Sequence, residues 1–252
     1  MKLAMLQLKV EFNRPEENFR NAEQEIAKAA GMGCRCAVLP ECFDLGWALP
    51  GAPRYAQGIP GERTRRLGAL ARQYGMVLVA GLTEKEGDHC YNTAVILSEQ
   101  GELLGRHRKI NLLRGVEDMV YTRGDRLGVY ETGFGPVGVN ICADNFPSHL
   151  TLGRSLAAMG AGMILSPCAW AVTSKDAAAN KPYGGMWLRS YAELAQECGI
   201  WVIGVSSVGH VAEGVWAGWK CIGNSIAMSP KGPALVMAHG EDAQAIGVVE
   251  IA

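Results

Sequence analysis

Three residues of unlike chemistry each stand at the end of a short strand-like run: Glu41 after Val38-Leu39-Pro40, Lys109 within Arg108-Lys109-Ile110, and Cys142 after Val139-Asn140-Ile141. A thiol attacks electrophilic carbon once its proton has gone, and a free thiol, titrating near about 8.5, keeps most of its protons at neutrality. A carboxylate beside it can accept that proton, and an ammonium beside it favours the thiolate and can hold a developing oxyanion. Singly, each residue has an ordinary reading: solvated loop carboxylate, surface ammonium, buried filler. Together they form a candidate catalytic set, because neighbouring strand ends converge and the crevice beyond them is where open α/β folds bind ligands.

The elements that must carry these residues follow from periodicity. Residues 1–9 alternate as a strand, and Asn13 with Glu16 three positions later reads as the N-terminus of a helix. Phe19, Ala22, Ile26 and Ala29 recur at helical spacing up to Gly31-Met32-Gly33, and a buried strand over 36–39 is stopped by Pro40. A helix over 62–74, closed by Gly75, leads to a strand at 76–80. Strand pairs at 91–97 with 102–106 and at 127–131 with 136–141 read as antiparallel hairpins. Helices near 150–159 and 185–198 lead into strands at 163–166 and 201–205, and strands near 222, 234 and 246 close the chain. That makes about twelve strands and four helices. Crossovers mixed with hairpins, and too few helices for both faces of one large sheet, imply an α/β class: a four-layer αββα sandwich of two mixed six-stranded sheets. With no linker, repeat or low-complexity segment, residues 1–252 read as one domain.

Composition removes several function classes. The chain has 252 residues, 48% of them hydrophobic, and a net charge of -1 without any basic stripe, so nucleic acid is not an expected partner. Gln7, Lys9 and Glu11 interrupt the apolar start before a secretory h-region forms, and no run is long enough to span a membrane. Eight cysteines in a chain of this length suit a reduced, cytoplasmic setting better than a disulfide framework. Cys34 and Cys36 form a C-x-C with no second pair or histidine cluster nearby, which reads as burial near a strand and not as a metal site. Gly31-Met32-Gly33 ends a helix and lacks a third glycine, so no dinucleotide loop is expected.

The order Leu39-Pro40-Glu41, then Arg108-Lys109-Ile110, then Gly138-Val139-Asn140-Ile141-Cys142-Ala143-Asp144 resembles the nitrilase, or carbon-nitrogen hydrolase, superfamily in its amidase-like branch. Glu41-Cys42-Phe43-Asp44-Leu45-Gly46-Trp47, Tyr91-Asn92-Thr93-Ala94 and Ser225-Ile226-Ala227-Met228-Ser229-Pro230 extend the likeness over nearly the whole chain. The resemblance implies an αββα fold and cleavage of a small non-peptide C–N bond without metal or organic cofactor. It also implies Cys142 as nucleophile, Glu41 as base and acid, Lys109 with the Ala143 N–H at the oxyanion, and water as second substrate. Glu117 fills the place of a further family glutamate, which the resemblance implies orients Lys109 or the substrate nitrogen. An amide needs all three groups, since its carbonyl is a poor electrophile and its amine a poor leaving group. Candidate substrate contacts are Ala143, Asp144, Asn145, Trp170 and Trp47. The resemblance also implies a homodimer or higher homo-oligomer, although only Ala195 and Glu197 survive from a helix segment that usually takes part in subunit contact.

Departures bear on the substrate. Many amide-cleaving relatives carry an arginine where Asn145 stands, and those that grip a carbamoyl amino acid use it, so N-carbamoyl and ureido compounds rank behind simple amides. True nitrilases favour Trp-Glu after the cysteine, here Ala143-Asp144, so nitriles rank lower. Two other readings stand beside these: a Cys-His hydrolase using His107 or His149, and a binding protein on the same fold without turnover.

Overall fold

A computed structural model of the chain describes residues 1–178 and 183–251. In order these form β1 (Lys2–Gln7), α1 (Pro15–Gly31), β2 (Cys36–Val38), α2 (Ala52–Tyr55), α3 (Glu62–Tyr74), β3 (Val77–Glu86), β4 (His89–Leu97) and β5 (Leu103–Arg108). There follow β6 (Val129–Thr132), β7 (Gly135–Val139), α4 (Thr151–Ala158), β8 (Met163–Cys168), β9 (Ala171–Val172), α5 (Ser174–Ala178) and α6 (Gly185–Cys198). The last stretch holds β10 (Trp201–Ser206), β11 (Val208–His210), β12 (Lys220–Ile222), β13 (Ile226–Ser229), β14 (Gly232–Val236) and β15 (Ala245–Glu250).

Twelve strands make two six-stranded sheets, in the orders β15-β1-β2-β3-β4-β5 and β14-β13-β10-β8-β7-β6. Each has parallel pairs in the middle, where helical crossovers connect the strands, and antiparallel pairs on the flanks. Alternation along β1 decides the layers. Leu3 and Met5 join Val137, Val139 and Leu165 between the sheets, while Ala4 and Leu6 join Phe19, Ile26, Leu67 and Ala71 of α1 and α3 on the outside. On the far side, α4 packs on β7 and β8, and α6 on β10, β13 and β14. The result is the αββα sandwich that the periodicity implies, with roughly 1.5–3 kcal/mol from each large side chain so buried.

Some local expectations change. Asn13 does not cap α1: it sits at φ 55, Arg14 takes the N-cap position without a side-chain bond, and Pro15 fills the first turn, where no N–H is needed. The strand expected at 76–80 runs on to Glu86 as a hairpin arm with β4. Along this arm the buried Glu84 carboxylate is satisfied by Thr93 and Arg108 at 2.7 and 2.6 Å. The strand near 222 joins neither large sheet. As β12 it pairs with β11 and β9 in a third, three-stranded sheet, because β13 already occupies the place beside β10. Among the described residues no helix is long and apolar enough to cross a membrane.

Candidate active site

Glu41 is fixed by the continuation of β2 past its last residue. Leu39 N–H donates to Val79 O and Gly81 N–H to Pro40 O, so the backbone keeps its ladder to β3 as far as the glutamate. Gly81 is required there: a Cβ on it would lie 2.5 Å from the Glu41 Cα and 2.6 Å from the Pro40 O. The segment beyond is tied down twice. Asp44 accepts bonds from Thr83 N–H and Arg63 Nη1 at 3.1 and 2.6 Å, and the Tyr121 hydroxyl accepts from Ala48 N–H at 3.0 Å.

Lys109 follows β5 in the same way, its N–H donating to Asn92 O at 2.8 Å. Since Thr93 pairs with Arg108, Asn92 lies opposite Lys109, and antiparallel neighbours point to one face. Glu117 arrives on the following loop, which turns by Glu117 N–H to Leu113 O and Tyr121 N–H to Glu117 O. The Leu113 N–H donates back to Glu117 Oε2 at 2.9 Å.

These segments close a buried charged cluster. Lys109 Nζ lies 2.7 Å from Glu41 Oε1 and 2.7 Å from Glu117 Oε1. Asn92 Nδ2 donates to Glu41 Oε1 at 2.6 Å, and Trp47 Nε1 donates to Glu117 Oε1 at 2.7 Å. Glu41 Oε2 has no partner among the described residues. Three ionisable groups at 1% exposure or less cost several kcal/mol each in lost hydration, a cost that only close pairing can offset.

Cys142 completes the set from the other sheet. It follows β7 at φ 41, heading a short 3-10 turn over Cys142–Asn145. A non-glycine residue at positive φ is strained and persists only where its surroundings fix it. Asp144 supplies the fixing. Its carboxylate accepts the Ile141 N–H at 3.1 Å, the Asn111 N–H at 2.9 Å and a bond from His107 Nε2 at 2.8 Å. Asn145 and Asn140 exchange amide bonds at 2.7 and 2.9 Å, and Cys142 N–H donates to Ser166 Oγ at 3.2 Å.

The electrostatics distinguish the members. Burial pushes the Glu41 carboxyl up to about 6, with Lys109 opposing and Glu117 reinforcing the shift. Burial also works against the Lys109 charge, but the carboxylates of Glu117 and Glu41 outweigh it and hold the ammonium well above its ordinary range. The Cys142 thiol is raised by burial, by its hydrogen bond with Cys168 and by Glu41, with Lys109 pulling the other way. Burial and Glu41 thus favour the protonated thiol, in line with a free thiol's ordinary preference at neutrality.

Glu41, Lys109 and Glu117 thus meet in one cluster, and Cys142 stands within the electrostatic reach of Glu41 and Lys109. The expected substrate contacts divide. Asp144 and Asn145 have their side chains engaged within the chain, and Ala143 is buried with its carbonyl accepting from His149 Nδ1 at 2.9 Å. That bond, and the one from His107 to Asp144, also account for the two histidines of the rival Cys-His reading. Trp170 stacks on Trp187 at 4.7 Å and meets Tyr191 edge-on, while Trp47 bonds Glu117 and packs on Trp216 at 5.1 Å. Asn92 was legible only as part of a motif; its place opposite Lys109 in the hairpin is the signal of its contact with Glu41.

In this four-layer αββα sandwich, strand ends of both sheets bring a carboxylate, an ammonium and a thiol toward one buried site. The carbon-nitrogen hydrolase family model matches residues 2–252, and the chain belongs to that family, the nitrilase superfamily. It is similar to a nitrilase from Pyrococcus abyssi, 35% identical over all of this chain and 89% of the relative. It is also similar to the omega-amidase NIT2 of Danio rerio, 34% identical over 70% of this chain and 66% of the relative. A solved amidase from Nesterenkonia sp. shares the fold with a TM-score of 0.83 at 24% identity, over 100% of this chain and 90% of that one. The chain is thus a hydrolase of amidase type, acting on carbon-nitrogen bonds other than peptide bonds.

Proposed function

We propose that the enzyme hydrolyses the C–N bond of a small amide through a thioester on Cys142. The observation that carries this reading is Lys109 Nζ at 2.7 Å from both Glu41 and Glu117, with Cys142 in the field of Glu41 and Lys109. Because the thiol starts protonated, attack on the carbonyl carbon requires the proton to leave in the same step. Glu41 Oε2, the oxygen without a partner, takes it. A carboxyl at about 6 is ionised at neutral pH and still basic enough to serve.

Lys109 and the Ala143 N–H stabilise the oxyanion, the C–N bond breaks, and Glu41 returns its proton to the departing nitrogen. Water, deprotonated by Glu41, then attacks the thioester carbonyl; the C–S bond breaks, the acid leaves and Cys142 regains its proton. Glu117 holds Lys109 in place, and Asp144 and Asn145 hold the strained turn of the nucleophile. The scheme uses no metal or organic cofactor.

The relatives support an amide. Several are omega-amidases, and a glutamate-to-glutamine mutant of the amidase from Nesterenkonia sp. AN1 shows Michael addition of acrylamide at its active-site cysteine. All eight cysteines are free and seven are buried, which supports a reducing, cytoplasmic setting. The test is ammonia release from short-chain amides, ω-amides, carbamoyl amino acids and nitriles, with mass spectrometry of the protein during turnover. An acyl adduct on Cys142, greatest with an amide, is expected. An adduct on another cysteine, or undiminished turnover by Cys142→Ala, contradicts the reading.

A further inference from the structure

A second thiol stands beside the proposed nucleophile and takes no part in the proposed reaction. Val139 and Leu165 are partners in the parallel ladder of β7 and β8, and Cys142 and Cys168 each lie three residues beyond them. Cys168 is the last residue of β8, and Cys142 lies past the end of β7 in the short 3-10 turn packed against β8. Ser166 links the two positions: its Oγ accepts the Cys142 N–H at 3.2 Å and lies 3.6 Å from the Cys168 Sγ. Both side chains belong to one buried cluster, and Cys168 is among the groups that raise the Cys142 thiol. Cys168 is held from behind by the Tyr191 hydroxyl at 3.6 Å, which occupies the space left by the missing side chain of Gly204.

We propose that Cys142 and Cys168 form a reversible disulfide when the enzyme meets a peroxide, so that the nucleophile is protected from irreversible oxidation. The inference rests on Cys142 being the reactive thiol of the proposed hydrolysis. In the first step Glu41 accepts the Cys142 proton as the sulfur attacks one peroxide oxygen. The O–O bond breaks, an S–O bond forms, and the other oxygen leaves with the proton as water or an alcohol. In the second the Cys168 sulfur attacks the sulfenic sulfur: the S–S bond forms, the S–O bond breaks, and the departing hydroxide takes the Cys168 proton as water. The two sulfurs together have given two electrons to the peroxide, and a dithiol restores them. Without Cys168 the sulfenic acid has no resolving thiol at hand and a second peroxide carries it to sulfinic acid, which a dithiol does not reduce.

The experiment treats the full chain with hydrogen peroxide, blocks the remaining thiols with N-ethylmaleimide, and maps the peptides by mass spectrometry before and after dithiothreitol. The expected result is a linked peptide pair containing Cys142 and Cys168 that dithiothreitol separates, with activity falling and then returning to most of its starting value. In Cys168→Ala and Cys168→Ser, each compared with its own untreated activity, the same dose leaves Cys142 as sulfinic acid, and under about a tenth of the activity returns. Cys142 found as sulfinic acid or unchanged in the wild type, with Cys168 a free thiol, overturns the proposal. Equal recovery in wild type and variants overturns it too. The peptide map needs no turnover, so it separates failure of this inference from failure of the hydrolytic reading.

Discussion

Counted from β15 and from β6, the two sheets pair their strands in the same succession: antiparallel, parallel, parallel, antiparallel, antiparallel. The last rungs between the first two parallel strands are Met5 with Val38 in one sheet and Val139 with Leu165 in the other. Three residues further on stand Leu8 and Glu41 in the first half, Cys142 and Cys168 in the second. The halves touch at these ends, where the Glu41 N–H donates to the Cys168 carbonyl at 3.2 Å. One plan, used twice, therefore brings unlike chemistry to a shared spot. The first half supplies charge that must be paired to stay buried, and the second a neutral thiol that needs no partner to do so.

That contrast can be broken most forcefully at the charges. Lys109→Met leaves Glu41 and Glu117 facing each other without their cation, so a stability loss of about 3–5 kcal/mol is expected with loss of turnover. Cys142→Ala should lower turnover by on the order of 10⁴-fold or more yet change the unfolding free energy in urea by less than ~1 kcal/mol. Denaturation curves and ammonia release on both variants decide it, and equal stability losses would remove the distinction.

Two glycines sharpen it further. A Cβ on Gly81 meets the backbone of Pro40 and Glu41, which cannot step aside without moving the base, so Gly81→Ala should cost about 10²-fold in kcat. A Cβ on Gly204 meets the end of a side chain, Tyr191 Oη, at 2.1 Å. Gly204→Ala should therefore act first on stability, by about 1–3 kcal/mol, and much less on rate. A smaller effect, roughly tenfold on kcat/KM with the fold intact, is expected for Trp47→Phe, which keeps the ring but removes the donor to Glu117.

The mildest prediction concerns pH. A base acts only when ionised, so kcat/KM should rise with pH through an acid limb near about 6, where Glu41 titrates. Glu117 is a like charge that raises Glu41, so Glu117→Gln should carry the limb to lower pH in whatever activity remains. A limb that stays fixed in that variant would dissociate the profile from Glu41.

Much of this was legible before any coordinates. The layers follow from alternation such as Leu3, Ala4, Met5 and Leu6, and the convergence of Glu41, Lys109 and Cys142 follows from their places after apolar runs. What remained hidden depends on partners far along the chain. The burial of Glu84 rests on Arg106 and Arg108 beside it at 2.7 and 2.6 Å, a pairing that no sequence pattern displays. Asp144 reads as a pocket carboxylate until His107 and Asn111 claim it, and Trp47, expected as a substrate contact, gives its N–H to Glu117. Of the small sheet only the strand near 222, β12, was legible, because β9 and β11 are two and three residues long and carry no usable period.

One ammonium set between two carboxylates leaves the trio with a surplus of one negative charge when both are ionised. An uncharged amide barely feels that surplus, whereas the acid it becomes ionises and is pushed away: like charges about 4 Å apart repel by roughly 4 kcal/mol at an effective dielectric near 20. For the proposed reaction the same residues that promote cleavage would also evict the finished acid, so product inhibition should be weak and the reverse synthesis of amides slow.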